Sequence, residues 1–100
     1  MRIRVVQSGG VAGLRREFAV ETEGLPGAAR DALERSVEAA AFFELPARHL
    51  SGHPDVIQYR IRVERPGRAH EVTIDDETAS EALRALVSQA LQHAGEKPEA

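Results

Sequence analysis

Val56-Ile57-Gln58-Tyr59-Arg60-Ile61-Arg62-Val63-Glu64-Arg65 alternates without a break, with Ile57, Tyr59, Ile61 and Val63 on one side and Gln58, Arg60, Arg62 and Glu64 on the other. A period of two is the mark of a half-buried strand. Pro66-Gly67-Arg68 is turn chemistry, and residues 69–75 return with His70, Val72 and Ile74 facing in and Glu71 and Thr73 out. A helix follows at once. Thr78-Ala79-Ser80-Glu81 has the form of a capping box, in which the Thr78 hydroxyl takes one orphan N–H and Glu81 reaches back to another. From residue 79 to about residue 93, Leu83, Leu86, Val87, Ala90 and Leu91 share one face. Gly95 supplies a stop. Strand, strand, helix is therefore the unit.

The same order precedes it. Residues 2–7 alternate, Ile3 and Val5 against Arg2 and Arg4, until Ser8-Gly9-Gly10 interrupts them. Residues 14–21 alternate again, Phe18 and Val20 against Arg15, Glu17 and Glu21. The pair reads as a hairpin whose connection, residues 8–13, is too long for a tight turn and holds glycines suited to positive φ. Pro26 suits a first helical position. Residues 28–41 form a helix with Ala29, Leu33, Val37 and Ala40 on one stripe. Phe42, Phe43 and Leu45 form an apolar plug, Pro46 ends it, and residues 47–55 read as a loop. The expected architecture is a two-layer α+β domain, ββαββα, with a four-stranded antiparallel sheet and two helices packed on one face. It occupies residues 1–94, and residues 95–100 form a polar, frayed tail. The uncovered face, with Arg2, Arg4, Arg15, Arg60 and Arg62 among Glu17, Glu21, Glu64 and Glu71, is one that can stand in water.

The chain has 100 residues, room for one core, and a net charge of −3 that argues against nucleic acid or an anionic membrane as a bulk partner. It has no cysteine, which excludes disulfides, thiolate catalysis and cysteine–zinc sites. No stretch approaches the ~20 apolar residues of a membrane span. Met1-Arg2-Ile3-Arg4 opens without a secretory h-region, so a cytoplasmic protein is expected.

Catalytic chemistry is hard to assemble from these residues. His49 and His53 have a ligand-like spacing, but Gly52 and Pro54 place them in a loop without further ligands, and exposed histidines are the simpler reading. His70 reads as a strand-end histidine with a polar partner, and His93 as a cation at a helix C-terminus. Asp75-Asp76-Glu77 could hold a cation, but acidic residues before a helix N-terminus fit dipole capping better. No serine has a nucleophile-elbow context, and no phosphate-binding loop is present. Sheet-based RNA binding needs exposed aromatics, whereas Phe18, Phe42, Phe43 and Tyr59 all have core parity. Non-enzymatic binding is the better class. Ser8-Gly9-Gly10-Val11-Ala12-Gly13 is either a loose connection or a contact loop.

Arg2-Ile3-Arg4-Val5, the run from Ser8 through Gly13 to Leu14-Arg15-Arg16, Leu25-Pro26, Phe42-Phe43-Glu44-Leu45-Pro46, Gln58-Tyr59-Arg60-Ile61 and Leu83-Arg84-Ala85-Leu86 together resemble the emfourin family, inhibitors of thermolysin-like zinc metallopeptidases. The resemblance spans nearly the whole chain. It implies a non-enzymatic inhibitor without a cofactor or bound metal, monomeric when free, whose partner is a thermolysin-like metallopeptidase and neither nucleic acid nor membrane. On that footing the expected partner-binding residues are Ser8, Gly9, Gly10, Val11, Ala12, Gly13 and Leu14, with Arg15 and Arg16 at the cleft rim. His49, Ser51 and His53 form an expected second contact. The alternative is an interaction module that uses the open mixed-charge face through Arg4, Arg60 and Arg62.

Overall fold

A computed structural model describes residues 1–97. Strand β1 (Arg2–Gly9) runs down the middle of the sheet between β2 (Leu14–Glu21) and β4 (Ile57–Arg65), antiparallel to both. Strand β5 (Arg68–Asp75) pairs antiparallel with β4. These are the four strands expected from the alternation, and the inward residues stack in rungs across them. Ile3 lies opposite Val20 and Val63, Val5 opposite Phe18 and Ile61, and Ile61 opposite Val72.

Helix α1 (Gly27–Ala39) and helix α2 (Glu81–His93) cover this face. Leu33 and Val37 from α1 and Leu83, Leu86 and Ala90 from α2 are buried in one cluster with the strand residues. Each of the leucines and the valine contributes about 1.5–3 kcal/mol by leaving water. The helices meet each other through the Ser36 hydroxyl, which donates to Gln89 Oε1 at 2.6 Å. Among the described residues no helix is long and apolar enough to cross a membrane.

The sheet is larger than the alternation implied. Among the described residues it is mixed and six-stranded, with β3 (Arg48–His49) and β6 (Gly95–Lys97) at its edges, in the order β3-β5-β4-β1-β2-β6. Strand β3 runs parallel to β5, inside the stretch expected to be loop. Leu45 ends the preceding turn in extended backbone, and the Ala47 carbonyl then accepts from Thr73 N–H at 2.9 Å on the free edge of β5. Strand β6 pairs antiparallel with residues 17–19 of β2, within the segment expected to fray. The rest of that tail, residues 98–100, lies outside the described residues.

Local details depart from expectation in instructive ways. Ser80, not Thr78, is the N-cap of α2, and its hydroxyl oxygen accepts from Leu83 N–H at 3.1 Å. It stands next to the first helical residue, whereas Thr78 belongs to the preceding turn. Pro26 is the N-cap of α1 rather than its first residue. On α2, Leu91 leaves the shared stripe and is 40% exposed. His70 does find a polar partner, with Nε2 2.8 Å from the Leu45 carbonyl. Its ring meets the edge of buried Phe42, while Phe43 lies under the guanidinium groups of Arg65 and Arg68 at 4.3 and 4.6 Å. The Phe-Phe-Glu-Leu-Pro run is thus a structural plug that closes one side of the core.

Candidate functional site

Strand polarity gathers the chain's two distinctive loops at one end of the sheet. There β1, β3 and β5 finish and β2 and β4 begin. The first loop is shorter than its glycines implied. Ser8 and Gly9 belong to the ladder, Ser8 opposite Arg15 and Gln58, Gly9 opposite Leu14 and Ile57. Only residues 10–13 project, as a turn closed by Gly13 N–H donating to the Gly10 carbonyl at 3.2 Å.

Gly9 sets the base of that turn. Its φ is +95°, and a Cβ added there would stand 2.9 Å from the Val56 carbonyl oxygen. Glycine is needed twice over, for a backbone region that L side chains avoid and for the close approach of β4. At the apex Val11 is 91% exposed, and Leu14 at the shoulder is 37% exposed. Ala12 and Gly13 are exposed beside them. Arg15 and Arg16, expected together at one rim, follow the strand's alternation to opposite faces.

The second loop is held by a buried carboxylate. Asp75 is 1% exposed. Its Oδ2 accepts from both the backbone N–H and the hydroxyl of Ser51, each at 2.7 Å. Its Oδ1 accepts from the N–H groups of Glu77 and Thr78 at 2.9 and 3.0 Å. Burial alone would raise the Asp75 pKa, but these hydrogen bonds outweigh it and hold the carboxyl far below its ordinary value. So placed, Asp75 is a poor base for the Ser51 hydroxyl, and the pair reads as a clamp. Thr78 extends it, with a hydroxyl that donates to the His49 carbonyl at 2.6 Å and accepts from Asp75 N–H at 3.0 Å. His53 Nδ1 hydrogen-bonds the Glu77 carboxylate, and Asp76 N–H donates to the Ile57 carbonyl at 3.0 Å. Beside it, burial raises the pKa of Tyr59, whose hydroxyl also donates to Asp76 Oδ1 at 2.9 Å.

His49 and His53 therefore part company. His49 lines a cavity with Leu45, Pro46 and Ser80, while His53 turns to Glu77. Among the described residues no three His, Asp or Glu side chains are grouped so as to hold a metal ion. The acidic run before α2 was expected to serve the helix dipole. Instead Asp75 organises the turn and the second loop, a role the Ser51–Asp75 separation in sequence gives no signal for. Arg48 was also missed, because a two-residue strand has no period to read.

The fold is thus a small α+β scaffold whose pinned turn exposes Val11. The Emfourin family model matches residues 5–91, and the chain belongs to that family. Membership implies a metallopeptidase-inhibitor role in general. No curated protein and no solved structure matches the chain.

Proposed function

We propose that this chain inhibits thermolysin-like zinc metallopeptidases by setting the residue 10–13 turn over the active-site cleft, with Val11 as its apolar contact. The observation that carries this reading is Val11, bare at 91% exposure on a turn whose base is fixed by two neighbouring strands. A rigid mount lowers the ordering cost of binding. A cleft that activates water on zinc beside an apolar pocket fits such a side chain. Occupying it would exclude substrate without any reaction by the inhibitor. The second loop, through His49, Ser51 and His53, braces the same end and supplies the flank of the contact.

The test is a titration of thermolysin with the wild-type chain and with Val11→Asp, reading residual activity against molar ratio. Burying a valine is worth about 1.5–3 kcal/mol, so removing that contact weakens inhibition by about 10- to 150-fold. Wild-type potency in a folded Val11→Asp variant would remove the turn from the site.

A further inference from the structure

The open face of the sheet divides into two halves. At the end away from the turn, opposite charges satisfy one another. Arg4 Nε lies 3.1 Å from Glu17 Oε1, and Arg62 Nε lies 3.4 Å from Glu64 Oε2. At the turn end the register stacks Arg15, Ser8, Gln58 and Asp75 on one rung and Glu17, Val6, Arg60, Thr73 and Arg48 on the next. The two carboxylates on these rungs are already committed. Glu17 is held by Arg4, and Asp75 by Ser51, Glu77 and Thr78. Neither Arg48 nor Arg60 forms an ion pair with a carboxylate among the described residues.

These side chains ring a hollow of about 170 Å³ that has buried Val6 in its wall. Arg60 and Arg48 rise from strands on either side of β5, roughly 10 Å apart, with Thr73 between them. Two guanidinium forks across such a gap suit a carboxylate, which they hold through paired N–H donors. The chain as a whole carries −3, whereas the hollow is lined by three arginines and, among the described residues, no carboxylate. Its first rung ends one residue short of Gly9, at the root of the projecting turn.

We propose that the hollow receives an aspartate or glutamate side chain from the surface of the peptidase that the turn engages. This rests on the inhibitory reading above and adds a second contact to it. The arginines steer the acidic rim of the partner onto the open face while the turn is seated.

The experiment measures association and dissociation rates of the full chain with thermolysin at low and high ionic strength. The Arg48→Glu/Arg60→Glu double variant is expected to associate about tenfold or more slowly at low salt and to lose most of its salt dependence. Arg2→Glu, on the same face at the far end, is expected to change the rate far less. Unchanged association and salt slope in the double variant, with Val11→Asp still impaired, would overturn the hollow and leave the turn standing. An equal slowing by Arg2→Glu would reduce the effect to bulk charge and also overturn it. A wild-type chain that fails to inhibit would overturn both readings. All of these positions are exposed, and circular dichroism of each variant checks that the fold is kept.

Discussion

Replacing Gly9 by alanine should destabilise the protein far more than the same change at Gly13, although both glycines belong to the first hairpin. Both have positive φ, +95° and +63°, and a side chain there costs about 1–2 kcal/mol in either case. The difference lies in what the new methyl meets. At Gly13 nothing stands within 4 Å of an added Cβ, while at Gly9 the Val56 carbonyl oxygen is 2.9 Å away and is backbone. Relieving that contact requires the start of β4 to shift, an overpacking cost of about 1–3 kcal/mol. Gly9→Ala is thus expected to cost about 2–5 kcal/mol and Gly13→Ala about 1–2 kcal/mol. For a chain of this size each kcal/mol lowers the melting temperature by about 4–8 °C. Urea denaturation with a constant m-value, supported by thermal melting, measures the gap. Equal destabilisation by the two variants would refute the close-approach argument. Where Gly9→Ala still folds, its turn sits on a displaced base, so it should also inhibit more weakly than Gly13→Ala.

Two further predictions follow from the second loop and its turn. Asp75→Asn removes a carboxylate whose folded pKa is held below its unfolded value of 3.8. A depressed carboxyl stabilises the fold fully above the unfolded pKa and loses that contribution as pH falls through it toward the folded value. The wild type should therefore lose stability on acidification below about pH 4, taking up about one more proton on unfolding than the variant does. Denaturant titrations from pH 3 to pH 7 read this, and parallel pH profiles would contradict it. Ser80→Ala should cost about 1 kcal/mol as the loss of a helix N-cap. An undiminished midpoint there would return the cap to Thr78.

The strands with long alternation were legible because their inward residues all meet one core. Ile57 to Val63 and His70 to Ile74 each carry enough period to fix which face is buried. Strand β3 was illegible for the opposite reason. Two residues cannot show a period, and Arg48 pairs with β5 through backbone that no side chain announces. The helix start was misplaced by two residues because Thr78 and Ser80 are both good caps, and only the turn built on Asp75 decides between them. The geometry of the candidate site was partly legible. Glycines marked the turn, but residues 8 and 9 were counted as loop, since the sequence does not reveal that β4 extends the ladder to Gly9. The pairing of Ser51 with Asp75 spans 24 residues and leaves no local trace.

Under the proposed binding mode, that extension of the ladder bears on affinity. A free six-residue loop from Ser8 to Gly13 would have to be ordered when it met a cleft, at about 1–2 kcal/mol for each backbone residue fixed. The structure has already fixed Ser8 and Gly9 between two strands and closes the remaining four with a hydrogen bond from Gly13 to Gly10. Pre-ordering two residues removes about 2–4 kcal/mol from the cost of association, equivalent to about 30- to 700-fold in affinity. The positive φ of Gly9, which glycine adopts without strain, and its close approach to Val56 are the conditions under which the ladder reaches that far. The proposed function therefore couples folding stability to inhibition at this residue: a change that frees Gly9 from the ladder should lower affinity even when Val11 keeps its side chain and its exposure.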